Sequence, residues 1–204
     1  MKNRVLSGAL AGGLVMFIWG AFSHMVLGWE EKTIKQIPNE PMVLATMKSE
    51  LKESGFYFFP GMDESPNLTK EQKDAQTKQW QEKYEAGPSG ILIFTASGRK
   101  AMTPQQLLTQ LFSDIVVALV AALVLAQAVN LRGYVQRVLF VGLLGLIPFC
   151  AVNMPYWNWY GFPMNFTLVQ LAERVLTLLI GGLVLAAIIK PATQTTSVPT
   201  AATA

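Results

Sequence analysis

Four ionisable side chains stand inside long apolar stretches of the sequence, namely His24, Asp114, Glu173 and Arg174. Placing a charge in an apolar medium costs on the order of 3 kcal/mol or more unless a partner or an aqueous cavity compensates it. Such residues therefore mark one of three things: an acid–base contact that fixes helices or subunits together, a binding pocket for a polar headgroup, or a site of proton-coupled transport or catalysis.

The spacing of these residues places each on a helix face with small or polar neighbours. At about 100° per residue, a helix beginning near residue 166 carries one polar sector and a helix beginning near residue 107 carries another. The two sectors consist of Gln170, Glu173, Arg174, Thr177 and Gly181, and of Gln110, Asp114, Ala118 and Ala121. His24 likewise lies over Gly20 and Gly13.

Depth along the helices places the four ionisable residues together. A rise of 1.5 Å per residue puts them at one level, roughly 7 to 12 Å from the helix ends. The sequence therefore predicts one intramembrane polar cluster, in which Asp114 pairs with Arg174. The predicted cluster contains His24, Gln110, Asp114, Gln170, Glu173 and Arg174.

Most catalytic and metal centres need residues that this sequence lacks. It contains one histidine, His24, and one cysteine, Cys150. A zinc site, a bis-histidine haem, an iron–sulfur cluster and a disulfide each need at least two such residues. The sequence also contains no GxSxG turn. We therefore expect no catalytic residue, no metal and no cofactor, and nothing in the sequence indicates an enzyme.

Composition indicates an integral membrane protein. Of 204 residues, 51% are hydrophobic and 14% are charged, whereas an ordinary soluble domain carries about 25% charged residues. Of the 13 acidic and 16 basic residues, 11 acids and 10 bases lie between residues 30 and 100, and the other bases are scattered near the ends of apolar runs. Scattered bases do not form a nucleic-acid-binding face, so we expect a lipid bilayer and no nucleic acid as a partner.

About 20 apolar residues are enough to cross a bilayer core of roughly 30 Å. Four stretches approach or exceed that length, at residues 5–27, 107–129, 134–152 and 166–189. Thr103 and Pro104 are typical of a helix start, and Pro148 is expected to bend the third span. The sequence therefore predicts an all-α integral membrane protein, a four-transmembrane-helix bundle with a small α/β extracytoplasmic cap between helices 1 and 2.

Basic residues near the span ends predict the orientation, because cytoplasmic loops carry an excess of lysine and arginine. These residues are Lys2, Arg4, Arg132, Arg137 and Lys190. Both termini are then cytoplasmic, and residues 30–103 are extracytoplasmic. We expect a multi-pass protein of the plasma membrane, the inner membrane of a bacterium. A cleaved signal peptide ending at Ser23 is the alternative, although the apolar run continues to Leu27.

The region from residue 30 to residue 103 has periodicities of its own. They predict a helix after Asn39 with one buried apolar face, a strand at 56–59, a charged helix at 69–85 and a strand at 91–95. The predicted domains are residues 1–29 as transmembrane helix 1, 30–103 as the cap, 104–190 as transmembrane helices 2 to 4, and 191–204 as a disordered cytoplasmic tail.

An uncharged aromatic loop at residues 153–165 is expected at the opposite interface, and it contains Tyr156, Trp157, Trp159 and Tyr160. The expected function is that of an accessory or scaffolding subunit of a membrane complex, in contact with protein partners or with further copies of itself. The alternative is a binder or transporter of a small amphiphile, such as a lipid headgroup or a quinone, at the polar cluster near the outer leaflet.

Overall fold

Helices make up most of the protein, as a computed structural model shows for residues 2–62, 65 and 67–190. Two of the helices run into π-helical segments, Ser23–Leu27 and Phe149–Asn153. A short 3-10 helix covers Glu31–Thr33. The other elements are α1 (Lys2–Phe22), α2 (Glu40–Glu50), β1 (Gly55–Phe59), α3 (Lys70–Ala86), β2 (Gly90–Phe94), α4 (Pro104–Gln127), α5 (Tyr134–Leu143), α6 (Leu146–Pro148), α7 (Met154–Tyr160) and α8 (Met164–Ile188). The tail predicted at 191–204 lies outside the described residues.

Four of the described helical stretches are long and apolar enough to cross a membrane, which confirms the predicted number. They are Lys2–Leu27, Pro104–Gln127, Tyr134–Tyr160 and Met164–Ile188. The start of α4 is also as predicted, because the Thr103 hydroxyl accepts a hydrogen bond from the Gln106 backbone N–H at 3.2 Å. Pro104 follows as the first residue of that helix, where a missing N–H costs nothing.

The third stretch is interrupted near Pro148, as expected for a residue that cannot donate a helical hydrogen bond. Regular α-helix stops at Leu143, and a π-helical segment follows Pro148. The predicted aromatic loop at 153–165 is wrong in form, because residues Met154–Tyr160 continue as helix α7. Gly161 then ends the helix with a φ of 69°, a conformation that glycine adopts without strain.

Two compact units divide the chain. Unit 1 comprises Met1–Thr33, Met102–Met154 and Met164–Ala204, and unit 2 comprises Ile34–Ala101 and Pro155–Pro163. In unit 1, α1 packs against both α4 and α8, and α5 packs against α8. The core of unit 1 includes Met16, Ala118, Val141 and Leu185, which are almost completely buried.

In unit 2 the strands β1 and β2 pair antiparallel, with Tyr57 opposite Leu92, as the two predicted strands allow. The Trp80 indole N–H on α3 donates to the Pro60 carbonyl at 2.9 Å. The predicted burial of one face of α2 is wrong: the helix contains no buried residue, and Met42 and Leu44 are exposed. An apolar pattern reveals which face a helix would bury, but it does not provide a surface to cover that face.

Glycine contacts along α1 lead to the first prediction. A Cβ added at Gly13 would lie 2.5 Å from the Ile115 Cα, whereas a Cβ at Gly20 would meet nothing within 4 Å. Gly13→Ala should therefore destabilise the protein by about 1 to 3 kcal/mol, as overpacking does. Gly20→Ala is the matched control and should be neutral or stabilising, because alanine favours the helix. Thermal unfolding in detergent measures both, and equal melting temperatures for the two variants would contradict the packing.

Candidate functional site

One hydrogen bond joins two of the apolar helices near the predicted polar cluster. The hydroxyl of Ser23, at the start of the first π-helical segment, donates to the Glu173 carboxylate on α8. Ser23 is only 2% exposed, and Glu173 is half-buried. Helical segments of the π type are rare and occur frequently at functional sites. The contact thus fixes a carboxylate beside an irregular stretch of helix.

Two further predicted residues meet on α8 itself. Arg174 donates from its Nη2 to the Gln170 Oε1 at 3.3 Å, one helical turn away. Gln170 is buried at 7% exposure, whereas Arg174 is exposed. Within the described residues, the hydrogen-bond acceptor of the Arg174 guanidinium is therefore the neutral amide of Gln170.

The acidic residue of α4 has a partner on its own helix. The Gln110 amide donates to the Asp114 Oδ1 at 3.1 Å. Asp114 is half-buried and Gln110 is exposed. The predicted ion pair between Asp114 and Arg174 is not found in the described part of the chain, where the contacts of Asp114 and Arg174 are with Gln110 and Gln170.

The register of the helices explains why that pair does not form. Ile115, the residue after Asp114, touches α1 at Gly13, whereas Glu173 touches α1 at Ser23. Ten residues of helix separate the two contacts, which is about 15 Å along α1. Asp114 thus lies well below the level of Glu173 and its neighbour Arg174.

His24 lies on the π-helical segment with its side chain 52% exposed. Its Nδ1 is 3.6 Å from the Glu31 Oε1 and 4.0 Å from the Glu30 Oε2. Gly28, with a φ of 56°, reverses the chain between the histidine and these acids. The charged contacts of His24 are therefore with the segment that follows α1, and they do not include Asp114 or Glu173.

One position on the α4-facing side of α1 is uncovered. The backbones touch at Gly13 and Ile115, but at Gly20, two turns further along the same face of α1, the space is open. Because the helices run antiparallel, Gln110 and Asp114 lie on the same side of the Gly13 contact as Gly20, and His24 lies one turn beyond Gly20. We call the stretch of α1 and α4 from the Gly13 contact to His24, which includes Gly20, Gln110 and Asp114, the α1–α4 cleft.

Two buried polar atoms in unit 1 have no hydrogen-bond partner among the described residues. They are the Trp19 Nε1, one turn before Ser23, and the Asn153 Oδ1 at the end of the second π-helical segment. Buried polar groups are nearly always hydrogen-bonded, so these two atoms are exceptions. Sequence reasoning missed Trp19, Ser23 and Asn153. For Trp19 and Ser23 a signal was present, because a tryptophan and a serine stand one helical turn apart inside an apolar run.

The described residues contain no group of three or more His, Cys, Asp or Glu side chains that could hold a metal ion. No family model, no curated protein and no solved structure matches this chain. The site must therefore be interpreted from its own geometry. That geometry consists of a hydrogen-bonded Ser23–Glu173 contact on one side of α1 and a half-buried carboxylate, Asp114, in the α1–α4 cleft on the other.

A pair of double-mutant cycles tests this arrangement. Ser23→Ala leaves the Glu173 carboxylate without its donor and should cost about 2 kcal/mol, as expected for a hydrogen bond to a charged group. Adding Glu173→Leu should recover part of the loss. Asp114→Ala and Arg174→Ala form the control cycle, and their effects should add within about 0.5 kcal/mol because the residues do not touch. Unfolding free energies in detergent measure both cycles, and coupling in the second cycle alone would overturn the assignment.

Proposed function

We propose that this is a multi-pass membrane protein that binds the polar headgroup of a small amphiphile in the α1–α4 cleft. The carrying observation is that Asp114 lies half-buried within an apolar helix, with the Gln110 amide and no base as its partner among the described residues. If the polar residues served only to hold the helices together, we would expect Asp114 to pair with a base on a neighbouring helix. A headgroup that donates hydrogen bonds to the Asp114 carboxylate would compensate the free-energy cost of placing this acid within an apolar helix.

The orientation proposed from the basic residues makes the cleft accessible from the outer leaflet. Gly20 and His24 lie toward the end of α1 that is opposite its basic start at Lys2 and Arg4. If the basic end faces the cytoplasm of a bacterium, the cleft opens toward the extracytoplasmic side. Residues 30–103 are then extracytoplasmic, and both ends of the described chain are cytoplasmic.

Labelling of single cysteines tests this orientation. In a Cys150→Ser background, cysteines at the exposed positions Gln81 and Asn158 should react in intact cells with a membrane-impermeant thiol reagent. A cysteine at Gly133, also exposed, should react only after the membrane is permeabilised. Reaction of the Gly133 position in intact cells would overturn the orientation while leaving the helices unaffected.

Ligand binding is tested by mass spectrometry of the intact protein released from a mild detergent. The wild type should retain a lipid or quinone, since the cleft is open to the bilayer. Gly20→Leu should lose it, because the new side chain fills the open space. Ile18→Phe is the matched control: Ile18 is exposed and lies about 160° around α1 from Gly20, so this variant should retain the ligand. Equal retention by Gly20→Leu would refute the cleft as the binding site.

A second candidate function is that of an accessory or scaffolding subunit, and unit 2 supports it. No described residue of unit 2 is buried, while Met42, Phe56, Trp159 and Ile93 expose large apolar surfaces, the last of them 76% exposed. Exposed apolar surface of this kind is typical of sites that contact another protein or a membrane. In the same mass spectra, a stoichiometric protein partner or a homo-oligomer without a retained ligand would favour this function over the first.

A further inference from the structure

Arg137 is a buried charge that neither proposed function uses. It lies in the first turn of α5 and is 4% exposed, the only charged side chain that is buried among the described residues. The sequence predicted it at the cytoplasmic end of a span. Its side chain is buried because α5 turns this face toward α8, where Val138 and Val141 contact Gly182.

No acid of the described residues forms an ion pair with Arg137. Outside residues 30–85 the sequence contains two acids, Asp114 and Glu173, whose hydrogen-bond partners are Gln110 and Ser23. Within the described residues, the ion pairs within 4.0 Å all belong to His24. A guanidinium carries five N–H donors, and the nitrogens of Arg137 are not among the fully enclosed polar atoms that lack a partner, so they remain open to an acceptor at the surface. An anion from outside the chain would provide the missing acceptor.

The surroundings at this end of the helices also favour an anion. The start of α1, the end of α4, the start of α5 and the end of α8 lie together, because Gly8 of α1 packs on Leu185 and Ile189 and a short segment joins α4 to α5. This end carries several bases and no acid within the last turns of its helices. The exposed bases are Lys2, Arg4, Arg132 and Lys190. A base-rich, acid-free surface attracts anions.

We propose that Arg137 binds the phosphate group of an anionic phospholipid at the basic end of the bundle. Arginine pairs with phosphate through two parallel N–H···O bonds. Basic pockets between membrane helices on the cytoplasmic side are typical sites for such headgroups. Inorganic phosphate has the same recognition chemistry, so the experiment must distinguish the lipid from the free ion.

The test measures thermal unfolding of the purified full chain in an uncharged detergent, with its five tryptophans as the reporter. Mixed micelles with phosphatidylglycerol should raise the melting temperature by about 5 to 10 °C, the shift expected when a ligand is present at roughly 100 times its Kd. Phosphatidylcholine at the same mole fraction should give no rise. A rise with sodium phosphate as large as with phosphatidylglycerol would overturn the lipid assignment in favour of a free-anion site.

Three variants separate Arg137 from general surface charge. Arg137→Gln should abolish the rise, whereas Lys190→Gln, which removes the same charge from an exposed position at the same end, should keep most of it. Equal losses in these two variants would show non-specific attraction and overturn the proposal. Arg137→Leu should melt at or above the wild-type temperature without lipid, because it removes an uncompensated buried charge. A lower melting temperature there would mean that the protein itself already satisfies Arg137, which would also overturn the proposal.

Discussion

Close backbone contact at glycines holds the apolar helices together. At Gly13 the backbone of α1 touches that of α4, at Gly181 the Met16 side chain occupies the space that a Cβ would take, and at Gly145 the chain meets the Arg174 carbonyl. In a membrane, apolar side chains gain little by leaving lipid for another helix, so small residues that permit close packing become the main source of association. Larger residues at these positions would force the helices apart.

The same contacts decide where polar groups can lie. Because α1 is held against α4 at Gly13 and against α8 along Gly8, Gly12 and Gly181, its polar residues fall beyond the tight region. On the α8 side the gap is closed by the bond from Ser23 to Glu173. On the α4 side a Cβ at Gly20 would meet nothing within 4 Å, and Asp114 is half-buried.

Hydropathy, caps and strand patterns were sufficient to predict the helices, the start of α4 at Thr103 and the pairing of β1 with β2. They could not predict which helix faces which. The periodicity correctly placed Ala118 and Gln170 on buried faces, but the pairing of Asp114 with Arg174 assumed a common level that the contact at Gly13 does not allow. The burial of Arg137 could not be predicted for a similar reason, since closeness to a helix end says nothing about what the neighbouring helix covers.

Asp114 and Arg137 carry opposite charges inside one bundle of helices, yet they do not pair. An ion pair between them would offset the desolvation cost of both charges, so the stability of the folded protein alone gives no reason to keep them apart. Their separation is explained if each charge meets a different group from outside the chain: a hydrogen-bond donor in the α1–α4 cleft and a phosphate at the basic end. In that arrangement a ligand at either place binds only the folded bundle, in which the charged side chain is held in position, and therefore stabilises the folded state. The cost of the two buried charges would then make the stability of the bundle depend on the lipids around it.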